Sequence, residues 1–376
     1  MKPVKILHCA DIHIGAEESF LGMRAQSRRA ETLITFEKII NIARENSVDI
    51  LLIAGDLFNS NNIEKSFTDR VFECFSMIPD TKIVFSAGNH DPLNAESPFK
   101  KYVLPQNVYV LETKDCFVEF ESLKTRVYGR SFKEVYMSGE QCFSLETSPE
   151  FINLMCIHGE LKSDLNSNYN SITSEFVTKS GMDYIALGHV HKRSNIDKIG
   201  STYIAYCGCP EGQGFDELNE KGVYLGEVSK NTCNLQFVPT AKRMHICEHI
   251  NIGEAVTSSQ IADCVIDALK QKYADSYSQN LYKIVLTGEI DENTVISVPE
   301  ITARLNDLLY FAKVKNQTEV KADLELLSHE KSLKGIFVKN MLGRIESAQE
   351  TEKEILKSAL NLGLKAFAGE VSYDED

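Results

Sequence analysis

The chain of 376 residues has no tryptophan, no C-x-x-C pair and no apolar run of 18 residues, and its 40 Lys and Arg are outnumbered by 54 Asp and Glu, a formal net charge of −14. The first absence excludes nothing. The second, with ten cysteines scattered and Cys207 and Cys209 the closest pair, argues for reduced thiols rather than a disulfide framework in a chain this long. The third argues against a transmembrane helix, and the opening "MKPVKILHCAD" lacks the apolar segment of a signal peptide. A cytoplasmic protein with no membrane partner is therefore expected. The shortage of basic residues matters most. A surface that grips nucleic acid all over needs Lys and Arg, so any phosphate-binding role must rest on a local patch or on metal ions.

What is present has the balance of a globular protein: 43% hydrophobic and 25% charged, with no internal repeat or low-complexity stretch. Its length suggests two or three domains. "VKILHCA", "VDILLIAG" and "TKIVFSAG" read as short buried strands. Between the first two, residues 23–45 repeat Leu33, Phe36, Ile39, Ile40 and Ala43 at helical spacing, and between the second and third Phe67, Val71, Phe72 and Phe75 do the same. Strand alternating with helix predicts parallel pairing through right-handed crossovers. From about residue 108 to 240 the chain turns strand-rich ("NVYVL", "TRVYGRSF", "FINLMCIHG", "DYIALGH", "TYIAYCG", "GVYLGEV", "NLQFVP"). An α/β fold of two packed sheets with helices outside is expected. After Pro239 the pattern changes. Residues 244–317 alternate strand-like runs with two amphipathic helices, one carrying Ile261, Val265, Leu269 and Tyr273, the other Ile301, Leu305 and Leu308. Residues 321–367 read as helical, with Leu333, Ile336, Phe337, Met341 and Ile345 on one stripe and Ile355, Leu356 and Leu360 on another. Those stripes either pack on each other or meet a partner helix.

Metal-ligand residue types crowd the ends of the expected strands. "HCADIH" carries Asp11 and His13, "IAGDLF" Asp56, "SAGNHD" Asn89, His90 and Asp91, "CIHGE" His158, and "LGHVH" His189 and His191. Each cluster alone is a weak signal, because turns favour the same residues. Five of them at strand ends are a strong one, since ligands in α/β sheets gather at the carboxyl ends of strands. Four imidazoles (His13, His158, His189, His191), two carboxylates (Asp11, Asp56) and one amide oxygen (Asn89) exceed what a single ion takes. They suit two mixed N/O sites for a borderline metal, Mn, Fe or Zn, rather than Ca or Mg. Two divalent ions about 4 Å apart, bridged by a carboxylate, clamp an in-line displacement at phosphorus. Their charge outweighs that of the two carboxylates, so an acidic protein can bind phosphate here. His8, on the first strand, reads as a core histidine or a support for the ligands, Gly88 as a sharp bend after its strand, and Pro92 as the close of the loop.

In that order, D-x-H, G-D, G-N-H-D, H and G-H-x-H resemble the calcineurin-like metallophosphoesterase superfamily over residues 1–240. "ADIHIG", "GDLFN" and the C-terminal additions resemble its SbcD/YhaO group, nuclease subunits of DNA double-strand-break repair complexes. The resemblance implies a two-sheet αββα metallophosphoesterase sandwich over 1–240 and a small α/β capping domain over 241–318 that helps recognise DNA. It further implies a helical segment over 319–376 that docks on an SbcC-like, SMC-related ATPase. It implies two divalent ions, Mn2+ foremost, one held by Asp11, His13, Asp56 and His191 and the other by Asp56, Asn89, His158 and His189, with Asp56 the bridge. His90 would be catalytic, stabilising charge at the scissile phosphate or protonating the leaving oxygen. Asp91 would either orient a neighbour in the catalytic site or serve as a turn residue before Pro92. A homodimer and a cytoplasmic, nucleoid-associated location are also implied.

Archaeal and eukaryotic relatives carry a His shortly after G-D-L-F that is associated with exonuclease activity; this chain has Asn59, which cannot shuttle a proton near neutral pH. That leaves the balance of exonuclease and endonuclease activity open. Arg24, Arg28 and Arg29 at the start of the first helix, and Lys192 and Arg193 after the last ligand, are candidate substrate contacts or ordinary solvated charges. The glycine-rich "CGCPEGQGFDE" offers backbone N–H groups to phosphate or is a tight connection between strands. Cys207 and Cys209 are secondary ligand candidates, and His245, His249 and His329 read as ordinary residues. Three functions follow: a Mn-dependent DNA exonuclease or endonuclease working with an ATPase, a metallophosphoesterase for a small phosphodiester such as a cyclic nucleotide, and a non-catalytic scaffold of the same fold. The long C-terminal region speaks against the second and the intact ligand set against the third.

Overall fold

Alternate residues along each central strand face different cores, and that alternation builds the catalytic half of the molecule. The computed structural model describes residues 1–137, 146–163, 167–253, 255–291, 294–321 and 324–367. Its contacts divide the chain into two units, Met1–Ile246 and Cys247–Asp376.

The first unit begins with β1 (Val4–Cys9), α1 (Ala25–Glu45), β2 (Ile50–Ile53), α2 (Lys65–Ser76), β3 (Lys82–Phe85), the single turn α3 (Pro98–Lys101) and β4 (Val108–Val110). The four strands pair in parallel, in order. There follow β5 (Cys116–Phe120), β6 (Thr125–Gly129), β7 (Ile152–His158), the short parallel pair β8 (Leu161–Lys162) and β9 (Ile172–Thr173), α4 (Ser174–Lys179), β10 (Tyr184–Gly188), β11 (Asp197–Ile199) and β12 (Thr202–Tyr206). A second six-stranded sheet results, ordered β11-β12-β10-β7-β6-β5, whose four middle strands are parallel. Then β13 (Gly222–Ser229) and β14 (Thr232–Pro239) return to the first sheet, giving β14-β13-β1-β2-β3-β4. The strand-rich stretch from 108 onward is thus shared between sheets. Only β2 lies beside β1 in the parallel run, and β13 takes the free side of β1 antiparallel, Val4 opposite Val228 and His8 opposite Tyr224.

Leu7, Cys9, Leu51 and Ile53 face Phe36, Ile39, Ile40, Phe72 and Phe75 of α1 and α2. Their neighbours Ile6, Ile50 and Leu52 face the other way, onto Val127, Ile152, Leu154, Tyr184 and Ala186 of the second sheet. Met155, Ile157, Ile185 and Leu187 cover that sheet's outer side with Val177 of α4. Helix, sheet, sheet, helix is the αββα sandwich expected from sequence. Burying each such aliphatic side chain contributes roughly 1.5–3 kcal/mol, so a one-residue slip of register would be heavily penalised.

β15 (His245–Asn251) begins at the end of the first unit and runs into the second, where it forms a three-stranded sheet with β16 (Leu281–Thr287) and β18 (Phe311–Asn316), ordered β15-β16-β18; α5 (Ser258–Tyr273) and α6 (Val298–Leu308) connect the strands, and β17 (Glu289–Ile290) pairs with β19 (Glu319–Val320). Ile261, Val265, Leu269, Ile301 and Leu305 are buried as their spacing implies, whereas Leu308 is 50% exposed because α6 ends there and Leu309 takes the inward place. Three helices, α7 (Leu324–Ser328), α8 (Leu333–Ser347) and α9 (Glu350–Phe367), follow, and Phe337, Met341, Leu356 and Leu360 pack on one another. Leu333, Ile336 and Ile355 from the same expected stripes stay exposed. No helix among the described residues is long and apolar enough to cross a membrane.

Arg28 and His8 are both enclosed in the first unit. Arg28, expected as a substrate contact or a solvated charge, is instead 1% exposed. It bonds Glu18 (2.7 Å), Glu31 (2.8 Å), Glu211 (2.6 Å) and the Gly212 carbonyl (2.6 Å), while Arg243 also reaches Glu31. Its helix position faces inward, and only paired charge survives there. His8 is a core histidine, held by the Tyr184 hydroxyl (2.8 Å) and the Leu187 carbonyl (3.1 Å). Burial holds its pKa down near about 3.

Replacing Arg28 by Met removes the guanidinium that three buried carboxylates share, and urea denaturation should show a loss of about 3–5 kcal/mol. His8 stays neutral in the folded chain while its unfolded counterpart protonates near pH 6.5, so its contribution erodes as pH falls from there toward about 3. His8→Gln should flatten the pH dependence of stability in that window by about one proton, or about 1.4 kcal/mol per pH unit, in urea titrations at successive pH values.

Candidate metal centre

At the carboxyl ends of β1, β2 and β10 the backbone enters the left-handed region at residues that are not glycine: Asp11 (φ 52°), His13 (48°), Asp56 (50°) and His189 (97°). Such conformations cost on the order of 1–3 kcal/mol each and persist only where the surroundings impose them. Here the Asp11 and His13 N–H groups donate to the carbonyls of Gly55 (3.1 Å) and Asp56 (2.9 Å). The His189 N–H donates to both Asp11 oxygens, at 2.9 and 3.1 Å. Strain is thereby concentrated in four residues that the motifs single out. Gly88 plays a different part from the bend expected of it. Its φ lies outside the positive range, and a Cβ there would stand 2.2 Å from Asp56 Oδ1 and 2.7 Å from Asp56 N. Close approach between the β2 and β3 loops, not bending, is what requires glycine.

The strand ends of both sheets bring the expected side chains together. Asp11, Asp56 and His158 are fully buried, and their ligand atoms lie within 4.8 Å of one another; so do those of Asp11, His13 and His191, and of His13, Asp56 and His90. His158 Nε2 stands 3.3 Å from Asp56 Oδ2 and 3.0 Å from Asn89 Oδ1, and its Nδ1 donates to the Ala54 carbonyl at 2.9 Å. His13 Nε2 faces His191 Nε2 at 3.1 Å and Asp56 Oδ2 at 3.7 Å. His189 joins mainly through its backbone and a ring contact with His158 (centroids 5.2 Å); its Nε2 is 3.5 Å from Glu160 and its ring stacks on Tyr169. His90 is exposed, its N–H on Asp56 Oδ1 (2.9 Å) and its Nδ1 3.2 Å from the Asn59 carbonyl. The buried Asp91 carboxylate accepts from the backbone N–H groups of Leu57 (2.8 Å), Phe58 (3.1 Å) and Gly88 (2.9 Å). It orients its neighbours, tying the β2 loop to the β3 loop.

The remaining basic candidates are not gathered at the cluster. Arg29 donates to the Gly15 carbonyl (2.9 Å) and pairs with Glu64 (2.6 Å), and Arg24 is half-buried. Lys192 and Arg193 are exposed beside His191, with the Arg193 guanidinium 3.7 Å from the centre of the Phe237 ring. Cys207 and Cys209 are buried thiols, pushed well above their ordinary range by burial first. The glycine-rich loop is spent on internal bonds: Glu211 and the Gly212 carbonyl hold Arg28, and the Gln213 N–H donates to Glu217.

Burial is the largest influence on Asp11, His13, Asp56, His158, His189 and Glu217, and the partners decide where it is overruled. It pushes Asp11 up to about 6, and it lowers His13 to about 3 and His189 to about 4. It would also depress His158, but the charges of Asp56 and Asp11 hold that ring up at about 9. Asp56 stays well below the usual carboxylate range against its burial, because His158, His13 and His90 face it. Glu217 is held at about 2 by its bond to His191, again against burial.

This donor set fits divalent ions. Two buried carboxylates draw positive charge onto His158, imidazole nitrogens and an amide oxygen converge on them, and mixed N/O donors of this kind suit borderline metals. His13 Nδ1 is buried without a hydrogen-bond partner among the described residues.

Two parallel-cored sheets with such ligands at their carboxyl ends define a phosphoesterase scaffold, and residues 4–193, just over half of the chain, match the calcineurin-like phosphoesterase family. The chain belongs to that family, whose members use divalent metal ions in hydrolysis of phosphate esters. It is 27% identical over 308 residues to the metallophosphoesterase YhaO of Bacillus subtilis (strain 168), covering 76% of this chain and 72% of that one. It is 26% identical over 239 residues to the DNA double-strand break repair protein Mre11 of Methanopyrus kandleri, covering 59% of this chain and about half, 52%, of that protein. To the SbcD component of the SbcCD nuclease of Escherichia coli (strain K12) the identity is 24% over 281 residues, 62% of this chain and 67% of the other.

Sequence reasoning missed Glu217, which contacts His191, Glu160 beside His189, and Tyr169 against the His189 ring. Glu160 stands two residues after His158 in "CIHGE", and Glu217 ends the glycine-rich "CGCPEGQGFDE".

Gly88→Ala should lower Mn2+ affinity about tenfold or more, because its Cβ displaces Asp56. Isothermal titration calorimetry reads this directly; unchanged affinity would remove Asp56 from the metal site.

Proposed function

We propose that this phosphoesterase is a Mn2+-dependent DNA nuclease, an exonuclease or endonuclease of double-strand-break repair acting with an SMC-like ATPase. The observation that carries the reading is the convergence of Asp11, His13, Asp56, Asn89, His158 and His191 on a buried cluster with one exposed histidine, His90, at its side. The relatives named for DNA break repair and nuclease activity support DNA as the substrate.

In this reading Asp11, His13, Asp56 and His191 would hold one ion, and Asp56, Asn89, His158 and His189 the other; ions held there would supply water activation and polarisation of the phosphoryl oxygens. His90 would act as an imidazolium: with Nδ1–H directed at the Asn59 carbonyl, its Nε2–H is the proton for the departing oxygen. Asp91 keeps that loop against the Asp56 loop through its three N–H bonds. Exposed Lys192 and Arg193 follow His191 in the chain and are candidate contacts for the phosphates of the substrate. We assign 1–240 to catalysis, 241–318 to a capping role and 319–376 to docking on the ATPase. Leu333, Ile336, Ile355 and Leu362, between 59% and 74% exposed on α8 and α9, support the last assignment.

The test compares cleavage of linear DNA with that of bis(p-nitrophenyl) phosphate by the purified chain in Mn2+. DNA cleavage is expected, abolished by chelation, reduced about 10²–10⁴-fold in kcat by His90→Ala, and lost in Asn89→Ala. Hydrolysis of the small ester alone would replace DNA with a small phosphodiester as substrate. Turnover of neither would sink both readings for the chain on its own.

A further inference from the structure

We propose that Glu217, from the loop between β12 and β13, is a positioning residue that fixes the tautomer and rotation of His191. The inference rests on the metal-centre reading above and deepens it.

His191 leaves β10 with one ring nitrogen facing each way. Nε2 faces His13 Nε2 at 3.1 Å and belongs to the group it forms with Asp11 and His13. Nδ1 is hydrogen-bonded to Glu217 Oε1. A neutral imidazole that donates Nδ1–H to a carboxylate presents the bare Nε2 lone pair on its other side, the form a metal takes. Glu217 has no comparable freedom: its second oxygen accepts from the Gln213 N–H at 2.8 Å and from the Cys209 thiol at 3.4 Å. The Cys209 N–H and Lys221 Nζ in turn donate to the His191 carbonyl, both at 3.2 Å. Side chain and backbone of His191 are therefore gripped by one loop. That loop is anchored by buried Arg28 through Glu211 and the Gly212 carbonyl. Packing leaves no slack, since a Cβ at Gly208 would stand 2.8 Å from the His191 carbonyl.

Cys209 completes a trio whose ligand atoms lie within 4.8 Å, a grouping open to a third metal ion. The bonds favour the positioning role, because the Glu217 oxygens are already engaged by N–H and S–H donors.

Glu217→Gln is the informative variant. It keeps the shape but offers one acceptor where two donors, His191 Nδ1–H and Gln213 N–H, require one each. Calorimetric titration of the full chain with Mn2+ should show two sites in the parent, and in E217Q one of them weakened about tenfold or more. E217A should behave alike. Cys209→Ala should leave both sites within about twofold, and E217Q added to His191→Ala should cost nothing further, as for two residues acting as one unit. Thermal melts establish that each variant is folded. Parent-like binding by folded E217Q would overturn the proposal, as would equal losses with and without His191, or a loss in Cys209→Ala matching that in E217Q. A parent chain that binds no Mn2+ would instead overturn the metal-centre reading, and the proposal with it.

Discussion

Asp11 and Asp56 are two carboxylates shut away from water at the meeting point of two sheets, and much of the first unit answers to that fact. Carboxylates so placed repel each other and lack solvent to spread their charge. What faces them is a ring of imidazoles, with His158 drawn upward in pKa between them. Strained backbone at Asp11, His13, Asp56 and His189, and the missing side chain at Gly88, are what it takes to bring these groups so close. Divalent cations are the natural complement of such a cluster, and the family to which the chain belongs uses that chemistry.

The same constraint explains the role of residues that touch no metal donor set. Asp91 uses both carboxylate oxygens to bind three N–H groups of neighbouring loops, so its charge is spent on architecture. Arg28 is spent likewise, gathering Glu18, Glu31 and Glu211 and pinning the loop that carries Glu217. Polar residues are numerous around the centre, yet many of them hold the few that form the cluster. His90 stands apart as an exposed member, which is why the proposed proton-transfer role falls to it.

Net charge, a property of the whole chain, says little about a site of this kind. The −14 total spreads over a large surface, whereas a metal centre works within a few ångströms, where bound cations dominate the local field.

The sequence by itself determined the α/β class, the alternation that sorts residues such as Ile6 and Leu7 to different cores, and the motifs at five strand ends. Those are local properties, written in periodicity and residue type. Only the tertiary structure decided that β13 and β14 rejoin the first sheet, that Arg28 points inward, that Asp91 serves backbone N–H groups, and that Glu217 meets His191 across 26 residues of chain. The physical reason is common to all four. Each depends on which partner a group finds once distant strands are packed, and a basic or acidic side chain carries the same letter in the sequence whether it meets solvent, a buried counter-charge or the far side of a ligand's ring.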